Sequence, residues 1–166
     1  FIMKTIYLLI FLFPFLIYSQ NMDNSVLKTI IQSQADEVQG QDGQWQFKIN
    51  ERVFICVTDT NHNRMRIISP IVEVEKLNSE EILSALAANF HTALDVKYAI
   101  SDDIMWSVFI HPLKELSHSQ AKDAIKQVYS AAETFGVSYS STNLVFPSAQ
   151  DSEDDSDQET VPLKQG

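Results

Sequence analysis

The stretch QWQFKINERVFICVTDTNHNRMRIISPIVEVE, residues 44–75, decides the fold class. Trp45, Phe47 and Ile49 alternate with Gln44, Gln46 and Lys48, which predicts a strand with one wet face. Asn50-Glu51 makes a tight turn. Residues 52–58, RVFICVT, place Val53, Ile55 and Val57 on one face and Phe54 and Cys56 on the other. Both faces are apolar, so this strand is expected to be covered, or nearly so, on two sides. Asp59-Thr60-Asn61-His62-Asn63 is a polar turn cluster. Residues 64–75 predict a third, longer strand. Pro70 interrupts it, and the apolar parity shifts from Met65 and Ile67 to Val72 and Val74. A proline at a parity shift implies an edge position or a bulge.

On the N-terminal side, Val26, Leu27, Ile30, Ile31, Ala35 and Val38 recur at helical spacing. Asn24 or Ser25 can cap this first helix, and Gly40 stops the chain beyond it. On the C-terminal side, Leu77-Asn78-Ser79-Glu80-Glu81-Ile82 is a helix start. Asn78 caps, Glu81 completes a capping box, and Leu77 with Ile82 forms a hydrophobic staple. Ile82, Leu83, Leu86 and Phe90 give the second helix an apolar stripe. Val96, Tyr98 and Ile100 open a fourth strand, and Ser101-Asp102-Asp103 turns the chain. The fifth strand runs over 104–111, with Trp106, Val108 and Ile110 on one face and Met105 and Phe109 on the other. Pro112 ends it. Ser117 caps a third helix with Gln120 in the capping-box position, and Gly136 closes it. Ala121, Ala124, Ile125, Val128, Tyr129, Ala132 and Phe135 line one face of that helix. Leu144-Val145-Phe146 is expected to add a short strand or to lie against the sheet. The order αβββαββα predicts an α+β fold with an antiparallel sheet.

The ends of the chain have different physics. Lys4 precedes an apolar run from Ile6 to Tyr18, broken by Pro14. That run is too short to span a bilayer, which needs about 20 helical residues. Followed by Ser19-Gln20, it reads as a secretory signal peptide over residues 1–19, cleaved after Ser19. Phe1 and Ile2 precede Met3, so the start codon is expected at Met3. At the other end, Asp151, Glu153, Asp154, Asp155, Asp157 and Glu159 sit among serines and glutamines. Residues 147–166 are therefore expected to be a disordered acidic tail. Asp151, Glu153 and Asp155 have the alternate spacing of a calcium loop. Ser156 stands where that loop needs glycine, and no Glu occupies its twelfth position. The domain proper is expected over 20–146, where ten Lys and Arg face sixteen Asp and Glu.

The 166 residues carry a net charge of -10, which argues against nucleic-acid binding. One cysteine excludes an intramolecular disulfide and any CxxC zinc pattern. The four glycines are few for phosphate-cradling loops. His62, His91, His111 and His118 form no metal-ligand spacing, so neither a metal nor a cofactor is expected. Cys56, inside an apolar strand, reads as a small core residue, because no neighbouring base activates it. Asp102 and Asp103 read as turn residues rather than an acid/base pair. No catalytic residue is assigned.

The chain resembles the type III secretion chaperone-like fold, and especially its YbjN-like branch. Residues 64–136 carry the likeness. Within them lie the strand, L-x-x-E, helix and N-F arrangement from Leu77 to Phe90, the Y-A-I-x-D-D-x-x-W hairpin from Tyr98 to Trp106, and the P-L-x-x-L-S helix start from Pro112 to Ser117. With the first helix and meander, the likeness covers most of residues 24–136. It implies a non-enzymatic, often dimeric protein-binding module. Members of the secretion-chaperone branch hold an unfolded client segment across apolar patches. The signal peptide and acidic tail depart from that pattern.

The expectation is an exported, periplasmic or secreted protein-binding or chaperone-like module. Its partner is a protein or a second copy of itself, with no nucleic acid and no membrane span after signal cleavage. If helices cover only one sheet face, Phe54, Cys56, Met105 and Phe109 are candidates for a second, apolar face that takes a partner. The alternative is a small-ligand-binding or hydrolytic α+β enzyme, with a pocket gathering groups such as His91, His111 or Asp103. A third reading makes the acidic tail a lure for a basic partner.

Overall fold

The computed structural model describes residues 21–146. The signal-peptide and acidic-tail readings, on 1–19 and 147–166, lie outside the described residues. Helix α1 is Asn24–Gln34, followed by strands β1 Glu37–Gln41, β2 Gln44–Ile49, β3 Arg52–Asp59 and β4 Arg64–Glu73. A 3-10 turn, Val74–Lys76, leads to α2 Ser79–His91, then β5 Lys97–Ser101, β6 Ile104–His111 and α3 His118–Thr134. The six strands form one sheet in the order β1-β2-β3-β4-β6-β5, and every neighbouring pair is antiparallel. The fold is α+β, as expected, with one strand more than the sequence pattern suggested.

The extra strand comes from residues assigned to the first helix. Val38 does not continue α1. The helix stops at Gln34, and Ala35 already has ψ 148. Asp42-Gly43 is the reason. This dipeptide closes a two-residue hairpin, with Gly43 at φ 80, and Val38 pairs across it with Phe47. Gly40 holds φ 118, and a Cβ there would lie 2.2 Å from the Gln44 carbonyl oxygen. The N-cap also differs: Asp23, not Asn24 or Ser25, accepts from the Val26 amide at 2.9 Å. Asn24 instead ties the hairpin down. Its amide donates to Asp42 Oδ2 at 3.0 Å, and its oxygen accepts from Thr58 Oγ1 at 2.7 Å.

The two predicted capping boxes form. Asn78 and Glu81 exchange side-chain and backbone bonds at the start of α2, and Ser117 and Gln120 do so at α3. Gly136 follows α3 at φ 79, the left-handed conformation that ends helices. Pro70 lies on β4, between β3 and β6, so it marks a bulge rather than an edge: the register with β6 shifts between Pro70 and Val72.

The core lies on one side of the sheet. Trp45, Phe47, Phe54, Cys56, Met65, Ile67, Met105 and Phe109 are all at most 5 % exposed there. This corrects the expectation that Phe54, Cys56, Met105 and Phe109 form a second, partner-facing surface. Phe47 and Phe54 stack with ring centroids 5.0 Å apart. Beneath α3 the sheet carries Ser69 and Ser107, directly opposite each other and fully buried. Their small size suits the alanine-rich face of α3, where Ala121, Ala124, Ala131 and Ala132 are buried. Neither hydroxyl is left unpaired: Ser69 donates to the Val53 carbonyl and Ser107 to that of Val128. Tyr98 donates to the Ala131 carbonyl at 2.8 Å, fastening β5 to the same helix. Arg52 joins the far end of α3 to the sheet, reaching Glu133 Oε1 through Nε at 2.8 Å and the Pro70 carbonyl at 3.3 Å.

Candidate functional site

Strand pairing lines up a second sheet face, opposite to the core. Ile55 pairs with Ile68, and Ile68 with Val108; Val57 pairs with Arg66, and Arg66 with Ile110. Pro70 pairs with Trp106. Because alternate residues of a strand point to opposite faces, the partners of the buried set form the other surface. Val53, Ile55, Val57, Ile68, Trp106 and Val108 are half-buried and Ile110 is 58 % exposed. No described helix lies over them. The β1–β2 side of this face is polar, with Glu37, Gln39 and Gln41 opposite Lys48, Gln46 and Gln44. An apolar band thus crosses the middle of an otherwise polar face, the pattern of a surface that takes a partner.

At one end the band forms a trough of about 600 Å³ lined by Val57, Ile68, Ile110, Arg64 and Arg66, with His62 and Asp59 at the turn. The turn is held internally. Asp59 Oδ1 accepts the His62 and Asn61 amides at 3.0 Å, and Oδ2 meets His62 Nδ1 at 2.7 Å. These bonds, that to the His62 amide foremost, hold the Asp59 carboxyl below its ordinary range. Asn63 then clamps the turn to the loop after β6. It donates to Glu115 Oε2 and accepts the Lys114 amide, each at 2.8 Å.

Helix α2 carries a second apolar surface. Its buried residues are Ala85 and Ala88. Of the expected apolar stripe, Ile82 is half-buried, while Leu83, Leu86 and Phe90 are 65 %, 59 % and 72 % exposed. The stripe forms, and most of it faces solvent. Small residues are used inward because α2 sits close against β5. The Asn89 amide occupies the outer edge of that strand, accepting from the Tyr98 amide at 2.7 Å and donating to its carbonyl at 3.1 Å. One side chain so satisfies both free backbone groups of an edge residue, which blocks strand addition at that point. Leu144-Val145-Phe146 forms no strand. It runs past the end of α2, where the Phe146 amide donates to the His91 carbonyl at 2.8 Å, and all three side chains are exposed.

The residues considered for chemistry are dispersed. A cleft of about 200 Å³ is lined by Asp95, His111, Gln120, Asp123 and Gln127. Of His91, His111 and Asp103, only His111 reaches it. His91 Nδ1 meets the Phe146 carbonyl at 2.9 Å, and Asp103, at φ 58, forms the β5–β6 turn with Asp102. Within the cleft Gln127 is 2 % exposed; it donates to Asp123 at 2.7 Å and Asp95 at 3.3 Å. It thereby holds the two carboxylates in place as structural acceptors. Cys56 is buried, and burial pushes its thiol up to about 12, the opposite of an activated nucleophile. No group of three metal-ligating side chains occurs among the described residues, and no described helix is long and apolar enough to cross a membrane.

No known family model matches the sequence, and no curated protein matches it. Solved structures do match. One is a chain of the HopA1–SchA chaperone–effector complex, with a TM-score of 0.54 and 12% identity over 67% of this chain and 90% of that one. Another is a chain from the Yersinia pestis type III secretion chaperone SycH in complex with a stable fragment of YscM2. It has a TM-score of 0.52 and 15% identity over 68% of this chain and 98% of that one. At such identities the likeness is one of fold, and the fold of this chain is that of the type III secretion chaperones.

Proposed function

We propose that the chain is a non-enzymatic protein-binding module, exported across a membrane, that holds an extended client segment on its open sheet face and acts as a homodimer. The observation that carries this reading is the apolar band from Val53 through Ile55, Ile68 and Val108 to Ile110, left uncovered by the described helices. The similar structures are complexes of chaperones with protein partners, which agrees with it. The trough indicates the client chemistry. Apolar side chains would lie over Val57, Ile68 and Ile110, with carboxylates reaching Arg64 and Arg66.

For self-association the partner surface is α2. Leu83, Leu86 and Phe90 follow i, i+3, i+7 spacing, so a second copy can cross them antiparallel. That arrangement sets Glu80 and Glu81, in the first turn, beside the partner's last turn with its histidine. Opposed helix dipoles favour the same geometry. Export rests on residues 1–19 as a cleaved signal, with 20–146 the folded domain; a mature N-terminus at Gln20 is the expected product. The YbjN-like branch is part of this reading, on the Tyr98–Trp106 hairpin and the Pro112–Ser117 helix start.

The test is binding of a dye-labelled synthetic peptide of alternating leucine and aspartate to the full chain, followed by fluorescence anisotropy. Saturable binding that weakens at least about tenfold in Val57→Asp, a loss of about 1.4 kcal/mol, supports the reading. Absence of binding, or equal binding by the variant, overturns it.

A further inference from the structure

The open face combines with an unused feature of the sequence. Several of its charged side chains already have partners. Lys48 pairs with Glu37 at 3.3 Å, Asp59 with His62 at 2.7 Å and Glu73 with Lys76 at 2.6 Å. Lys97 turns to the end of α2, donating to the Asn89 and Leu94 carbonyls. Arg64 and Arg66 remain. Both are exposed, and neither forms an ion pair among the described residues. They stand two residues apart on one strand face, so their Cα atoms are about 6.8 Å apart. Asp59 stands opposite Arg64 in the β3–β4 register and is hydrogen-bonded within its own turn, so in a chain of net charge -10 the two guanidiniums leave a net positive spot beside the apolar trough.

The acidic segment has the matching period. Asp151, Glu153, Asp155, Asp157 and Glu159 are acidic at every second position. In an extended segment all five carboxylates fall on one side at the same spacing of about 6.8 Å. Val161 and Leu163 follow, and can lie on an apolar floor. The reach is sufficient. The described chain arrives at Phe146 beside His91, at the end of the sheet where β5 begins. There Lys97 pairs with Val108, two residues from the Ile110 that pairs with Arg66. Five extended residues from Phe146 to Asp151 span about 16 Å. The path from β5 across β6 to β4 is two strand spacings, about 10 Å.

We infer that residues 151–159 dock in cis on the open face, with alternate carboxylates on Arg64 and Arg66, as an intramolecular occupant of the trough. The contact uses the same surface as the proposed function but does not depend on it, since the segment can dock whether or not any client exists. Exposed ion pairs are individually weak. Tethering supplies an effective concentration in the millimolar range, so a fast-exchanging contact suffices. It follows that occupancy falls with salt and that an acidic client competes with the segment.

The test uses the full chain with Ser152→Cys carrying a nitroxide; native Cys56 is buried and stays unlabelled. Paramagnetic broadening of backbone amides is read at about 0.01 M salt and again at about 1 M, where the screening length falls from about 30 to about 3 Å. Broadening centred on Val57, Arg66 and Ile110, relieved by salt and at least halved in Arg64→Gln/Arg66→Gln, is the expected result. Broadening centred on α2 or α3, or broadening of the face that the double variant leaves unchanged, overturns the inference. So does broadening of equal strength when isotope-labelled, nitroxide-free chain is mixed with nitroxide-labelled chain, because the segment would then dock on a second copy.

Discussion

The two faces of β3 are built from similar residues and have opposite fates. Phe54 and Cys56 are fully buried against the helices, whereas Val53, Ile55 and Val57, one residue out of step, stay half-exposed. What separates the faces is their neighbours. On the helix side, β4 and β6 contribute Met65, Ile67, Met105 and Phe109, with two serines that let α3 come close. On the open side, the same strands contribute Arg66, Ile68, Val108 and Ile110. Two arginines prevent that side from accepting a helix of the same chain as a dry layer, because a buried unpaired guanidinium is very unfavourable. An apolar strand face is therefore no sign of a core by itself; it becomes one when the residues aligned across the sheet are apolar or satisfied as well.

The sharpest way to break this comparison is to truncate adjacent residues of β3. Phe54→Ala is expected to lower unfolding free energy by about 3–5 kcal/mol, the usual loss for a fully buried phenylalanine. Ile55→Ala is expected to lose less than about 2 kcal/mol, because its side chain keeps part of its hydration. Urea denaturation followed by far-ultraviolet circular dichroism gives both values, and equal losses would mean the open face is covered in solution.

The second contrast is between the inner and outer faces of α2. Phe90→Asp places a charge on the outer stripe, where Phe90 is 72 % exposed, so the fold should persist. Self-association should weaken by about 2 kcal/mol or more, as at an interface hot spot. Light scattering would then report the monomer mass for the variant at a concentration where the parent chain is dimeric. Identical masses for both would show that this stripe is not where two copies meet.

The hairpin turns allow a smaller change. Asn50 and Glu51 hold φ 47 and 65 at the β2–β3 turn, a left-handed pair that suits Asn-Gly. Glu51→Gly should stabilise the chain by about 1 kcal/mol by relieving the left-handed strain, read as a rise in the urea midpoint. A lower midpoint would show that the glutamate has a compensating contact.

The smallest effect concerns pH. The Asp23 carboxyl is held below its ordinary value, first by the Val26 amide and then by the Ser25 hydroxyl. A depressed carboxylate contributes stability above its unfolded pKa and loses it as pH falls through its folded one. Asp23→Asn keeps a good cap that does not titrate. The stability advantage of the parent chain over the variant should therefore shrink as pH drops below the usual carboxylate range. A difference that stays constant from neutral to acid pH would count against this role.

The sequence was most legible where a local group completes a local structure. Both capping boxes, the Gly136 helix stop, the Asn50-Glu51 and Asp102-Asp103 turns and an irregularity at Pro70 follow from residues a few positions apart. Two elements depart from their local pattern. Ala35 and Val38 continue the helical spacing of α1, yet Asp42-Gly43 turns the chain so that Val38 pairs with Phe47 instead. That dipeptide is a hairpin signal in the sequence itself, competing with the helical period. For α2, the stripe of Leu83, Leu86 and Phe90 was evident. Its outward orientation was not, because it depends on Asn89 and the two alanines fitting the edge of β5.

The residues by themselves determined the α+β class, the antiparallel hairpins, the three helices and the low promise of Cys56 as a nucleophile. These rest on period, turn chemistry and charge, all local properties of a chain. Which face of β3 is core, which side of α2 meets solvent, and the pairing of Arg66 with Val57 and Ile110 were decided by tertiary structure. The physical reason is that burial belongs to the pair of surfaces that meet. A strand or helix carries only one of them, and the other arrives from positions that the sequence places far away.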